Sequence, residues 1–317
     1  MSNATIVVDI NWDIDAKIAA LRSHCPDHHI VSADALTDGD RETARYAVVW
    51  SPRPGLLASL PNLEAIFSLG AGVDHVVNQP DLPDVPLVRF VDPDLTGRMT
   101  EWVVLQCLMH LRGQRLYDAQ QRARLWREVD RPVASSVTVG ILGFGELGQA
   151  SAKALLALGF NVRAWSRTPK VAEKIDTFSG ESQFNAFLSG TDILISLLPH
   201  TGETESLIGA GVFEKLRRDG PFGKPVFING GRGKVHVEAD IIEALESGML
   251  GGVSLDVFER EPLAENSPLW GLDNAILTPH MAAVSDSNAL ATYIANQIAR
   301  HEAGQELQNV VDRDRGY

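Results

Sequence analysis

Cysteine is almost absent from this sequence: Cys25 and Cys107 are the only two in 317 residues. Two thiols exclude a disulfide framework and a cysteine-rich zinc site, and both read as buried free thiols. No metal site is expected. No apolar run reaches the ~18 residues needed to span a membrane. Residues 1–10 lack the basic start and long apolar stretch of a secretory signal, so the cytoplasm is the expected location. Positive charge is also scarce: 28 Lys and Arg face 41 Asp and Glu, a formal net charge of −13. Such a chain is a poor ligand for nucleic acid or an anionic membrane. Positive charge for an anionic ligand must be gathered locally in a cleft. Tandem repeats and low-complexity segments are missing as well.

What is present suits two ordinary globular domains. The residues are 44% hydrophobic and 22% charged, enough to build sizeable cores. Short β-rich runs alternate with longer helical patterns, which predicts an α/β fold with parallel sheets. Strands are expected over residues 6–10, 46–50 and 65–69. A long apolar helix follows over 99–111, just after the Asp92-Pro93 turn. A second series of strands is expected over 138–142, 161–165, 192–198, 226–229, 252–257 and 275–278. Helices are expected over 149–158 and over 238–247, the latter ended by Gly248.

Directly after residues 138–142 comes Gly143-Phe144-Gly145-Glu146-Leu147-Gly148. The first glycine allows a tight turn, the second lets a pyrophosphate approach the backbone, and the third lets helix pack on strand. The helix N-terminus then presents free N–H groups to the phosphates. A strand before and a helix after make a dinucleotide site a better reading than a structural turn. An NAD site places Asp or Glu ~20 residues after this loop, on the ribose 2′-hydroxyl. Here the segment reads Trp165-Ser166-Arg167-Thr168-Pro169-Lys170, with no acid. Ser166, Arg167 and Thr168 suit a 2′-phosphate, with added charge from Lys170. NADP(H) is therefore preferred over NAD(H); the plainer alternative is a basic surface loop.

Three polar groups stand just past three late strands: Arg232 after Asn229-Gly230-Gly231, Glu261 before Pro262, and His280 after Thr278-Pro279. Ligands of open α/β sheets bind at the carboxyl ends of the strands. The set fits hydride transfer to a 2-ketoacid. A guanidinium holds the carboxylate and polarises the neighbouring carbonyl. An imidazole supplies the proton, and a carboxylate orients that imidazole and favours its charged form. Each has a plainer alternative: a surface ion pair for Arg232, a solvated loop carboxylate for Glu261 (with Glu259 a competitor), and a core histidine for His280.

Taken in order, these segments resemble the D-isomer-specific 2-hydroxyacid dehydrogenases. The matching set includes Gly70-Ala71-Gly72-Val73-Asp74, the glycine loop, Leu198-Pro199-His200-Thr201, Asn229 to Gly233, Leu255-Asp256-Val257-Phe258 with Glu261-Pro262, and Thr278-Pro279-His280. Within the family the intervals 232 to 261 and 261 to 280, and the segment with Gln120, Gln121 and Trp126, are similar to the glyoxylate/hydroxypyruvate reductase A group. The resemblance implies two Rossmann-like, doubly wound domains. Residues 1–97 plus 284–317 would form a discontinuous, flavodoxin-like substrate domain, with a nucleotide-binding domain of 98–283 inserted into it. It implies a homodimer and NADPH-dependent reduction of glyoxylate to glycolate and hydroxypyruvate to D-glycerate, with His280 as proton donor.

The resemblance also places the backbone N–H groups of Ala71 and Gly72 at the substrate carboxylate and makes Trp50 a substrate wall, with a core tryptophan as the alternative. Asp256 would meet the nicotinamide carboxamide, and Leu198, Pro199 and Gly230 would lie against the cofactor. Formate dehydrogenases carry Gln where this chain has Glu261, so formate oxidation is not expected. Gly230-Gly231 is richer in glycine than many family versions; it either loosens Arg232 or makes room for the nicotinamide. The competing expectations are a reductase of another 2-ketoacid within the family, and a dinucleotide-sensing, co-repressor-like binding protein.

Overall fold

The computed structural model describes residues 4–70 and 72–313. In chain order the elements are β1 (Thr5–Asp9), α1 (Ile14–His24), β2 (His29–Ser32), α2 (Asp38–Thr43), β3 (Ala44–Val49), β4 (Ala65–Ser68), α3 (Asp74–Val77) and β5 (Leu87–Val88). Helix α4 (Pro93–Arg112) and α5 (Gln114–Arg122) follow. Next come β6 (Thr138–Leu142), α6 (Glu146–Ala157), β7 (Asn161–Ser166), β8 (Asp176–Ser179), α7 (Gly180–Ser189), β9 (Ile193–Ser196) and α8 (Ala210–Phe213). The chain finishes with β10 (Val226–Asn229), α9 (Glu238–Glu246), β11 (Gly252–Leu255), β12 (Ala275–Leu277) and α10 (Ser287–Glu302). It divides into two compact units, Met1–Leu95 with Ser285–Tyr317, and Thr96–Val284.

The first unit is built on a five-stranded parallel sheet in the order β2-β1-β3-β4-β5, the flavodoxin-like order. All five residues of β1 are buried, as a central parallel strand covered on both faces requires. The core on one face joins Val7, Ala47, Val49, Ile66 and Leu87 to Leu56, Leu57 and Leu60. Helix α10 returns to this unit and packs on α1.

The second unit holds a seven-stranded parallel sheet in the order β12-β11-β10-β9-β6-β7-β8. Read from β8, this is the doubly wound dinucleotide-binding order extended by one strand. Strand alternation divides its core in two. Ile193, Ile195, Val226 and Ile228 face α4 and α6 through Val103, Cys107, Ala152 and Leu155. Leu194, Phe227, Val253 and Leu255 face the opposite layer with Phe187, Phe213 and Ile241.

Several elements differ from the sequence expectation. Helix α4 starts at Pro93, six residues early. Proline's missing N–H costs nothing in the first turn, and the Asp92 carboxylate accepts from Asp94 N at 2.7 Å. Helix α6 starts at Glu146 and so encloses Gly148. The strand expected over 192–198 is confined to Ile193–Ser196, because the chain must turn at residues 197–198 to pass between two glycines described below. Strands β2, β5 and β8 were not expected. All three lie at sheet edges; β2 and β8 carry polar residues at both ends and β5 has only two residues, so none shows the apolar run of a central strand.

Two histidines of the second unit pack into its interior, His236 buried and His110 half-buried. His110 Nε2 meets Ser254 Oγ at 2.9 Å, and His236 is 1% exposed. Burial pushes both imidazoles down from 6.5 to about 4, with the Arg131 charge adding to the effect at His110. Their contribution to stability is fully present above pH 6.5 and is lost as pH falls from there to about 4, because the unfolded chain takes up protons that the fold refuses. The melting temperature of the protein should fall between about pH 7 and about pH 5, and His110→Gln should flatten that fall. Equal slopes in the two proteins would rule out burial of His110 as a cause.

Candidate active site

The turn from β6 into α6 is shaped by what its glycines touch. Gly143 has φ +95°, and a Cβ there would lie 2.8 Å from the Leu197 carbonyl oxygen. A Cβ on Gly148 would stand 2.2 Å from the Gly143 oxygen, so helix and turn pack without room for a methyl group. At Gly145 a Cβ would meet nothing within 4 Å. The first and third glycines thus close the turn, while the second faces open space at the N-terminus of α6, where Glu146 is exposed. This is a cradle suited to a dinucleotide pyrophosphate: free N–H groups, a positive helix end and no side chain in the way. Leu147 packs into the core beside α4 and α6.

At the end of β7, Ser166 Oγ donates to the Thr168 carbonyl at 2.8 Å. The Arg167 guanidinium pairs with Glu203 at 3.2 Å. Lys170 Nζ reaches back to the glycine loop and donates to the Phe144 carbonyl at 2.6 Å. Two cations therefore stand where a ribose 2′-substituent would lie, one of them tied to the loop that would carry the pyrophosphate. Glu203 was not anticipated from the sequence; it lies 36 residues from Arg167, and nothing local marks it.

Residues 197–198, after β9, are clasped from both sides. A Cβ on Gly231 would lie 2.6 Å from the Leu198 oxygen, as one on Gly143 would press on Leu197. Gly230 lies under Trp102 and Met99, where a Cβ would come within 3.0 and 3.2 Å. Leu198 is buried and Pro199 half-buried. Of the double glycine before Arg232, Gly231 therefore answers a packing demand, while Gly230 keeps a tight fit against two side chains.

Arg232 follows this turn, half-buried, with one guanidinium N–H donating to the Gly231 carbonyl at 3.0 Å. His280 Nδ1 meets Glu261 Oε2 at 2.7 Å, and Glu261 Oε1 accepts from Phe258 N at 3.0 Å. Burial works to raise the Glu261 carboxyl. The His280 hydrogen bond and charge, the Phe258 N–H and the Arg232 charge outweigh it, so Glu261 is held below the usual carboxylate range. The three residues thus form one electrostatic group. Glu259, the competitor for Glu261, is turned elsewhere: it accepts from Glu238 N at 2.7 Å.

His280 sits at φ +54°, a left-handed conformation rare for a residue with a side chain. Its N–H donates to the Asp256 carbonyl at 2.8 Å. The Asp256 carboxylate, 2% exposed, accepts from Thr278 Oγ1 at 2.6 Å, Met281 N at 2.8 Å and Ala282 N at 2.9 Å. What Asp256 does in this structure is pin the loop that carries His280. Backbone strain of this kind persists only where the surroundings over-determine it, and it gathers at functional sites.

In the first unit, Trp50 lies on Gly70, where a Cβ would fall 2.3 Å from its ring. Its ring centroid is 4.1 Å from that of His75, and Trp12 meets it edge-on at 5.5 Å. Gly72 is half-buried in the turn before α3; Ala71 lies outside the described residues. Among the described residues, no group of three or more His, Cys, Asp or Glu is placed to hold a metal. No helix among them is long and apolar enough to cross a membrane.

Comparison with known proteins follows the same lines. Residues 104–282 match the family model for the NAD binding domain of D-isomer specific 2-hydroxyacid dehydrogenases. The glyoxylate/hydroxypyruvate reductase A of Yersinia enterocolitica is 38% identical over 88% of this chain and 90% of its own length. A protein of Rhizobium etli named a probable 2-hydroxyacid dehydrogenase, in complex with NADP, HEPES and L(+)-tartaric acid, superposes with a TM-score of 0.94 at 49% identity, over 99% of this chain and 100% of that one. The NADPH-dependent glyoxylate/hydroxypyruvate reductase of Sinorhizobium meliloti, in complex with NADP and sulfate, gives a TM-score of 0.95 at 48% identity, over 99% and 100%. With a glycine cradle of the right build, strands in the right order and relatives matched over nearly their whole length, this chain belongs to the D-isomer specific 2-hydroxyacid dehydrogenase family.

Proposed function

We propose that this NAD(P)-dependent oxidoreductase uses NADPH to reduce small 2-ketoacids, glyoxylate to glycolate and hydroxypyruvate to D-glycerate. The observation that carries the reading is the His280–Glu261 pair at 2.7 Å, with the Arg232 charge acting on the same carboxylate. Glu261 holds His280 by Nδ1, and Nε2 is the ring nitrogen that would pass a proton to the ketoacid carbonyl oxygen. Glu261 keeps the ring in that orientation and stabilises its protonated form. The Arg232 guanidinium binds the substrate carboxylate and draws electron density from the adjacent carbonyl. When bound, the reduced nicotinamide supplies the hydride that the carbonyl carbon receives.

The residues that would hold the cofactor fit it. Gly143, Gly145 and Gly148, with the Glu146-Leu147 turn of α6, would take the pyrophosphate. Ser166, Arg167, Thr168 and Lys170 would take the 2′-phosphate, and Leu198, Pro199 and Gly230 would border the nicotinamide. Relatives in complex with NADP at 48–49% identity support the choice of cofactor. Glu203 is the acceptor that a 2′-phosphate has to replace or join at Arg167.

Steady-state kinetics test the substrate reading directly. Glyoxylate and hydroxypyruvate should be turned over faster with NADPH than with NADH, and faster than bulkier ketoacids; a bulkier ketoacid in first place would replace the substrate named here. His280→Ala should lower kcat by about 10²–10⁴-fold while NADPH still binds, and normal turnover would remove the proton-donor role.

Arg167→Asp puts a carboxylate where a 2′-phosphate needs a cation. It should raise the KM for NADPH by roughly tenfold or more and leave that for NADH nearly unchanged. An unaltered NADPH/NADH preference would refute the assignment of Arg167.

We also propose a cytoplasmic homodimer. Beside the family resemblance, this rests on the segment after α5, where Trp126 is 95% exposed and Val133 65%, more apolar surface than one short stretch usually leaves to water. Light scattering should give twice the 34.5 kDa chain mass, and a monomer at micromolar concentration would exclude it.

A further inference from the structure

Asn229, the last residue of β10, is fully buried. Its side-chain amide spans the turn that carries Arg232. Gly231 N donates to Asn229 Oδ1 at 2.9 Å, and Asn229 Nδ2 donates to the Arg232 carbonyl at 3.1 Å. A flipped amide would set N–H against N–H at Gly231 and oxygen against oxygen at Arg232, so these two backbone groups fix its orientation. The remaining Nδ2 hydrogen points at His236 Nδ1, 2.8 Å away. His236 Nδ1 must therefore be an acceptor, which makes the ring neutral with its proton on Nε2. Its burial, which pushes the imidazole down to about 4, keeps it so across the working range.

His236 is itself held firmly. Its N–H donates to the Gly233 carbonyl at 3.0 Å, and it pairs with Ile208 in an isolated parallel bridge. Its Nε2 is buried with no hydrogen-bond partner among the described residues. A buried donor left unsatisfied is costly, and an apolar side chain would avoid that cost. Its presence calls for a task that only Nδ1 performs. The turn needs such help: close backbone contacts demand glycine at 231 and 233, and glycines bring no side chain to hold their own backbone.

We propose that His236, acting through the Asn229 side-chain amide, is a positioning residue that fixes the Arg232 turn and thereby the grip of Arg232 on the ketoacid carboxylate. The inference rests on the reading of Arg232 given above. The Arg232 guanidinium leaves a backbone whose carbonyl is tied to Asn229, so loss of the His236 acceptor releases the amide and the turn with it. Substrate binding suffers before chemistry does, and the glycine cradle at residues 143–148 is untouched.

The test is a kinetic cycle on the full chain, with NADPH affinity read separately by protein fluorescence. His236→Leu and Asn229→Asp, which remove the acceptor and the donor, should each raise the KM of the best ketoacid about tenfold. Their kcat should stay within roughly threefold and their NADPH affinity within about twofold. His236→Gln, whose side-chain oxygen accepts, should restore most of the loss. In an Arg232→Ala background His236→Leu should add nothing. A KM unchanged by His236→Leu, or raised equally in the Arg232→Ala background, overturns the proposal while leaving the role of Arg232 intact. If Arg232→Ala itself leaves KM unchanged, the reading of Arg232 falls and the proposal with it. Should His236→Leu not fold, Asn229→Asp decides alone: an unaltered KM in that variant is equally fatal.

Discussion

The parallel direction of the seven strands in the second unit constrains everything that follows. Parallel pairing sends every strand to the same edge of the sheet and leaves its carboxyl end there. Helices cover both faces, so polar chemistry is pushed to the strand ends. β6, β10 and β12 finish at the glycine loop, at the Arg232 turn and at the loop of His280. Groups separated by up to 137 positions in the chain, from Gly143 to His280, are brought to one edge of one sheet.

Within that edge, buried polar side chains do the holding. Asp256 pins the loop of His280, and Asn229 pins the turn of Arg232. Each sits at or just past a strand end, nearly inaccessible to solvent. An unpaired carboxylate or amide at such depth would be costly; with its partners in place it restricts the loop to one arrangement. Glu261 differs, because it is partly accessible and its two oxygens are divided between a backbone N–H and an imidazole. Its charge is retained against burial by those partners and by Arg232.

Much of this was legible in the sequence, for physical reasons. Strands buried on both faces, such as β6 and β10, read as continuous apolar runs, and the glycine spacing marks a turn whose packing admits no side chain. The positions of 232, 261 and 280 past predicted strand ends implied a common edge, and the Glu261–His280 contact has the geometry of a hydrogen bond. What escaped notice lacked a local pattern. β8 is a polar edge strand, Glu203 reaches Arg167 only through the fold, and the Lys170 bond to the Phe144 carbonyl joins two loops. His236 carries no signal at all, because a lone histidine next to valines is indistinguishable from any core residue. Asn229 was visible as part of a motif, yet its hold on both sides of the following turn depends on φ and ψ values that no spacing conveys.

The clasp of Gly143 and Gly231 about residues 197–198 has a consequence for ligand affinity. Three segments from β6, β9 and β10 touch through backbone atoms, with no rotatable side chain between them. Contacts of this kind leave few conformations for the free protein to lose on association. A bound dinucleotide then meets a surface whose configurational entropy was already surrendered during folding, so more of the contact energy survives as affinity.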